Sequence, residues 1–214
     1  MSGLNADKAE KLEAMVADYY SKKLEEHGVS HQGVDWNSTE SQELRFEQLL
    51  KVVDRSAFFS LNDLGCGYGA LFDYLHEKQQ TDFQYNGYDL SEGMIRAAES
   101  LHKNKPAARY YVGSSMNEAD YTIASGIYNV RLQVSDDEWL AHIFSALEQM
   151  NKASKKGFSF NMLTSYSDLD RQRAYLYYAD PCFFFTHCKK NFSRNVALLH
   201  DYGLYEFTIL VRKD

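Results

Sequence analysis

Nine residues, DLGCGYGAL from Asp63 to Leu71, constrain this chain more than any other stretch. Three glycines stand at alternate positions, Gly65, Gly67 and Gly69, just behind an acidic residue. Glycine gives up more backbone freedom on ordering than any other residue, so three this close need a compensating use. The apolar run AFFSLNDL at 57–64 reads as a strand entering the loop, and GALFDYLHEKQ reads as a helix leaving it.

The same alternation continues along the chain. DFQYNGYDL (82–90) predicts a second strand, and SEGMIRAAESLHKN predicts a helix capped by Ser91. ARYYVGS (108–114) and DYTIASGIYNV (120–130) predict two more strands. Ser135 and Glu138 form a capping box ahead of a helix whose apolar face is Leu140, Ile143, Phe144, Leu147 and Met150. KGFSFNML (156–163) predicts a fifth strand, and 196–213 a strand pair turning at Tyr202–Gly203. Strands alternating with helices specify an α/β fold with a doubly wound, mostly parallel sheet, and the closing pair implies an antiparallel edge. Ahead of all this lie two helices, one at about 6–26 and one starting near Asn37 with Glu40 as its capping partner. The connection at about 164–194 is too long for an ordinary loop, and long connections in compact domains are usually functional.

In a parallel sheet, ligands bind beyond the carboxyl ends of the strands. The glycine loop sits there, and Asp89 ends the second strand 20 positions after Gly69, where a carboxylate can accept from both hydroxyls of a ribose. The spacing is GxGxG with Asp63 ahead of it, whereas the dinucleotide fingerprint is GxGxxG. An extra carboxylate beside the loop repels a pyrophosphate but suits the amino group of a zwitterionic methionine moiety. No GK[ST] follows, which excludes a Walker loop.

DLGCGYG followed by GYDLSEGM resembles the class I S-adenosylmethionine-dependent methyltransferases, over roughly residues 57–213. The resemblance implies a seven-stranded Rossmann-like sheet, S-adenosyl-L-methionine as methyl donor and S-adenosyl-L-homocysteine as product. It also implies that Asp63 and the Gly65–Cys66–Gly67 backbone lie near the methionine part, Asp89 on the ribose, and Leu90 and Met94 along the adenine. Ser115 and Met116 in VGSSMNEAD stand where the family often places an acid for the adenine amino group. Ser125 and Gly126 in SGIYN come beside the cofactor, with Tyr128 and Asn129 facing the acceptor. Amino-methylating nucleic-acid enzymes carry [DNS]PPY at this point, and SGIYN has no proline. The N-terminal helices, with Tyr20 in DYYSKKL and Arg45 in SQELRFEQLL, resemble segments that close over the cofactor, Arg45 being suited to the methionine carboxylate. Residues 1–55 are thus expected to be a helical lid within the same domain as a methyltransferase portion at 56–214.

Methyl transfer from a sulfonium is an in-line displacement, so positioning the acceptor and excluding water do much of the work. An oxygen acceptor must also lose a proton, for which a histidine is the usual agent. Of the seven histidines, His187 in the long connection and His200 beside Asp201 are the best placed, with His31 third. His76, His102 and His142 fall on helices flanking the sheet and read as surface residues. The catalytic candidates are therefore His187, His200 and Tyr128, and the acceptor-binding candidates Asn129, Tyr177 and Tyr178. The connection also holds Tyr166, Tyr175, Phe183, Phe184 and Phe185, which suits an acceptor pocket, a dimer interface or core under a cap.

Composition excludes other classes. A net charge of −7 without a basic run disfavours nucleic acid as partner. No apolar stretch is long enough for a membrane span or signal core, so a cytoplasmic protein is expected. Three cysteines without CxxC spacing fit reduced thiols, and no acid/histidine cluster has metal-ligand spacing. What remains is a methyltransferase acting on oxygen or nitrogen of a small-molecule or sugar-type acceptor, as a monomer or homodimer. The alternatives are a non-catalytic adenosyl-cofactor-binding partner subunit and an NAD-dependent oxidoreductase, although YSKKL lacks a Tyr-xxx-Lys spacing.

Overall fold

Short apolar strands buried on both faces need helices on both sides, and the computed structural model supplies them. It describes residues 6–30, 32–34, 38–78 and 82–213. The helices are α1 (Ala6–His27), α2 (Thr39–Leu49), α3 (Ala70–Lys78), α4 (Glu92–Leu101), α5 (Asp136–Ala153) and α6 (Pro181–Asn191). The strands are β1 (Phe59–Leu64), β2 (Phe83–Asp89), β3 (Ala108–Val112), β4 (Ala119–Ala124), β5 (Ser154–Leu163), β6 (Asn195–Leu199) and β7 (Glu206–Arg212).

They form one seven-stranded sheet in the order β3-β2-β1-β4-β5-β7-β6. The first five strands run parallel, and β7 is antiparallel to both β5 and β6. The order reverses between β1 and β4, so the carboxyl ends of β1, β2 and β4 open a crevice at one edge. On one face, Phe46, Leu49, Phe72, Leu75 and Ile95 pack with Leu61, Tyr85 and Ile123. On the other, Trp139, Ile143, Leu147 and Phe184 pack with Tyr88, Phe158, Phe160 and Phe207. Burying each such large apolar side chain contributes on the order of 1.5–3 kcal/mol.

Between β3 and β4 there is no helix. Parallel strands usually join through a crossover helix, but here 113–118 alone make the crossing. The Asn117 N–H donates to the Tyr88 hydroxyl at 3.1 Å, and Asn62 Nδ2 donates to the Asn117 carbonyl at 2.7 Å. Cover for this part of the sheet comes from α1. Its Leu12 and Val16 join the apolar cluster of Tyr88, Tyr111 and Met116, while Glu13 accepts from Ser114 Oγ at 3.1 Å. Ser21 Oγ meets Ser91 Oγ at 2.8 Å, tying α1 to the start of α4.

The caps expected at Ser91 and Ser135 are present, accepting from Met94 N and Glu138 N. For α2 the cap is Ser38, which accepts from Ser41 N, whereas Asn37 lies outside the described residues. Two corrections concern extents. The fourth strand stops at Ala124, because Gly126 takes a positive φ of 74° and the chain turns there. The 164–194 connection is largely ordered and carries α6, announced by Asp180 as N-cap and Pro181 in the first turn. Its aromatics divide: Phe184 is fully buried in the core, while Tyr166 and Phe183 are exposed. Among the described residues no helix is long and apolar enough to cross a membrane.

Candidate active site

The glycine loop is held from below. Gly65 N–H and Cys66 N–H both donate to the Tyr88 carbonyl, at 2.7 and 3.0 Å. At Gly65 φ is +76°, and a Cβ there would lie 2.1 Å from Ile127 Cγ2, so only glycine fits. A Cβ on Gly69 would meet Tyr110 Oη at 2.6 Å and His102 Cε1 at 2.8 Å, a packing constraint. His102 is buried, bonded to Asp73 at 2.9 Å and to Tyr110 at 2.6 Å, which corrects its reading as a surface residue.

Asp89 closes the loop against the next helix. Its Oδ2 accepts from Gly67 N at 2.9 Å and its Oδ1 from Ser91 N at 2.8 Å. Each carboxylate oxygen keeps a second lone pair for a ligand. Burial raises its pKa, against the pull of those two N–H groups. Asp63 is 2% exposed and accepts from Tyr85 Oη at 2.6 Å. Burial, helped by the charge of Asp89, outweighs that hydrogen bond and lifts its carboxyl to about 7. Burial also raises the Cys66 thiol well above its ordinary value, which keeps it unreactive near neutrality.

Above the loop lies a cleft of about 970 Å³. The ends of β1 and β2 form its floor, and α1 walls it through Ala9, Glu13, Val16, Ala17 and Tyr20. The turn after β4, α5, Tyr175–Leu176 and His187 of α6 complete the lining. Ser125 Oγ, at this wall, is buried without a hydrogen-bond partner, an acceptor and donor waiting for a ligand.

Tyr20, Arg45, Asp63, Gly65, Cys66, Gly67, Asp89, Leu90, Met94, Ser125, Gly126, Asn129 and His187 all line this cleft. Seven other candidates need correction or comment. Tyr128 is fully buried, its hydroxyl donating to Met150 Sδ at 3.3 Å, because the turn after β4 points it into the core. His200 is exposed and packs its ring near Tyr166 and Phe207, outside the cleft. Tyr177 and Tyr178 line a separate shallow depression with Arg131 and Asp136. Ser115 is exposed and Met116 packs against the core cluster; neither lines the cleft, whereas Gly113 and Ser114 do. His31 lies outside the described residues.

Two features were missed by sequence reasoning. His142 lines the cleft, its ring against Trp139 at 5.2 Å, and burial lowers its pKa to about 4. The second is a buried polar chain. Arg45 pairs with Glu206 through Nε at 2.9 Å and Nη2 at 2.6 Å, and Nη1 donates to the Ser41 carbonyl at 2.7 Å. Glu206 Oε2 accepts from Asn161 Nδ2 at 2.5 Å, and Asn161 Oδ1 accepts from Gly126 N at 2.8 Å. Arg45 therefore lies in the cleft wall with its charge already matched by Glu206. The signal was a glutamate opening an otherwise apolar strand and an asparagine inside FSFNML, since buried polar groups need partners.

Comparison with known proteins agrees with this geometry. Residues 62–127 match the family model described as a methyltransferase domain. Rv1506c of Mycobacterium tuberculosis (strain ATCC 25618 / H37Rv), itself named as a methyltransferase, is 54% identical over 166 residues, 77% of this chain and 99% of that protein. The chain belongs to the class I S-adenosylmethionine-dependent methyltransferases.

Two solved structures share the fold of this methyltransferase. Magnesium protoporphyrin IX methyltransferase of Synechocystis PCC 6803, with bound S-adenosylmethionine, superposes with a TM-score of 0.62 at 13% identity, covering 94% of this chain and 97% of that one. The small RNA methyltransferase HEN1 superposes at 0.59 with 20% identity, over 82% of this chain and 25% of that one. As a methyltransferase of this class the enzyme uses S-adenosylmethionine as methyl donor. Its cleft fits that group in its chemistry, being lined by the glycine-loop backbone at Gly65 and Gly67, the Asp89 carboxylate and the unpartnered Ser125 hydroxyl.

Proposed function

We propose that this enzyme methylates an oxygen or nitrogen of a small-molecule or sugar-type acceptor held between α1, the turn after β4 and α5. The observation that carries the reading is the cleft itself: it runs from the glycine loop to His187, and Arg45, already ion-paired, is the only Lys or Arg among its described lining residues. A nucleic acid would need a basic track for its phosphates.

When bound, S-adenosylmethionine supplies a methyl group activated on a sulfonium. Asp63 and the Gly65 to Gly67 backbone hold the methionine end, and Asp89 accepts from the ribose hydroxyls with its free lone pairs. Leu90, Met94 and Ser114 bracket the adenine. Residues 1–55 serve as the lid of a single domain, α1 excluding water from the cleft. In-line attack requires the acceptor atom roughly 3–3.5 Å from the methyl carbon. Burial lowers both imidazoles, His142 to about 4, which leaves it a weak base, so His187 is the candidate to take a proton from an acceptor hydroxyl.

Calorimetric titration with S-adenosylmethionine, S-adenosylhomocysteine and NAD, followed by a metabolite screen with a labelled methyl donor, tests the reading. Adenosyl-cofactor binding with transfer to a small molecule is expected. Binding without any transfer favours the partner-subunit alternative, and label transferred to RNA overturns the acceptor class.

A further inference from the structure

The acceptor half of the cleft has an uneven charge. Its apolar wall is Val16, Leu140, Phe144 and Leu176. Its ionisable groups are the acids Asp137 and Glu148, both exposed at its rim, together with the two histidines, whose pKa burial lowers. Lysine and arginine are missing from that half among the described residues, and Arg45 at the cofactor end is spent on Glu206. Cations nearby are also engaged: Lys8 meets Glu138 at 2.6 Å, and Arg131 meets Asp136 at 3.3 Å. None of the residues outside the description is a lysine or arginine.

A cleft of one sign with low-dielectric walls concentrates ligands of the opposite sign and rejects those of its own. We infer that the acceptor is an amine carried on an apolar or aromatic body, drawn in as its ammonium form, and that anionic acceptors such as phosphorylated or carboxylated metabolites are excluded. Because burial lowers His142 to about 4 and leaves that ring too weak a base, the ammonium first loses a proton to water or to His187. Its freed lone pair then attacks the methyl carbon as the carbon–sulfur bond breaks toward sulfur, leaving a methylated ammonium, neutral thioether and one released proton. This inference rests on the methyl-transfer reading of the cleft.

The test uses the whole protein saturated with S-adenosylhomocysteine and three probes of one shape: tryptamine, tryptophol and indole-3-propionate. Calorimetry should rank them amine, alcohol, acid, with the amine at least about tenfold tighter than the acid, the low end of electrostatic focusing. Added salt should shrink that gap. The double variant Asp137→Asn with Glu148→Gln should narrow it too, with homocysteine-product affinity and melting temperature unchanged. Equal or tighter binding of the acid, a gap the double variant leaves intact, or no amine binding at millimolar concentration each overturns the inference. Failure of S-adenosylhomocysteine to bind at all strikes the cofactor reading instead, so the two failures are told apart before any probe is added.

Discussion

The two ends of the cleft are built differently. At the donor end the groups come from the ends of two adjacent strands, β1 and β2: Asp89 is clasped by the N–H groups of Gly67 and Ser91, and Gly65 and Cys66 share the Tyr88 carbonyl. At the acceptor end the wall comes from segments scattered along the chain, in α1, the turn after β4, α5, Tyr175–Leu176 and α6. A preformed donor site beside an assembled acceptor site lets one chemistry be kept while the acceptor changes, because backbone amides bind whatever shares the cofactor's shape, whereas the other wall depends on individual side chains.

Four changes would break or sharpen that contrast, beginning with the largest. The ends are joined by the chain Arg45–Glu206–Asn161–Gly126, so Glu206→Gln should damage both at once. Arg45 and Glu206 are nearly inaccessible, and leaving the guanidinium unmatched should cost about 3–5 kcal/mol of stability in denaturant unfolding. A loss below about 1 kcal/mol would mean the pair is solvated and the ends are independent.

Next, Asp89→Ala should weaken S-adenosylhomocysteine binding by about 1–3 kcal/mol, through lost charge-assisted bonds to ribose. Unchanged affinity would place the ribose elsewhere.

A third effect is a pH dependence confined to the donor end. The folded pKa of Asp63, about 7, lies above the ordinary carboxylate value. Its contribution to stability is therefore complete below the unfolded pKa of about 4 and is lost as pH rises toward 7. A ligand ammonium beside it favours the ionised form. Binding of S-adenosylhomocysteine near pH 6 should accordingly release a proton, seen as a buffer-dependent heat. Affinity should rise with pH by at most about tenfold per unit up to neutrality. Asp63→Asn should abolish both effects, and a flat profile in the unmodified protein would remove Asp63 from the methionine end.

The smallest expected change separates the ends outright. His142→Ala should leave S-adenosylhomocysteine affinity within about twofold, since distant sites act additively. Acceptor turnover should fall by a factor that does not vary with pH above about 5, since burial keeps this ring unprotonated there and its loss acts through the shape of the acceptor wall. A large loss of cofactor affinity would show that α5 shapes the donor end as well.

How much was legible follows the same division. The glycine loop, Asp89, Ser91 and Ser135 are local patterns whose spacing alone declares them, and each occupies its expected place in the fold. Legibility faded where tertiary packing decides. Tyr128 reads as facing the acceptor and His142 as a surface residue, but the turn after β4 sends the first into the core and the rotation of α5 turns the second to the cleft. The Arg45–Glu206 pair joins residues 161 positions apart, beyond the reach of any periodicity. By contrast α6 had a readable signal in Asp180–Pro181, outweighed by the aromatic run that follows it.

A last consequence follows from the missing crossover helix. Because α1 both roofs Tyr88 and Tyr111 and walls the cleft, the lid role proposed for it would make ligand exchange a partial uncovering of the sheet. Ligand exchange then has a thermodynamic clock: the amide hydrogens of 6–27 should exchange with solvent through the same openings that release product. Saturating S-adenosylhomocysteine should slow that exchange by the factor that mass action gives, 1 + [L]/Kd. The rate at which this enzyme can turn over would be written in the fraying of its first helix.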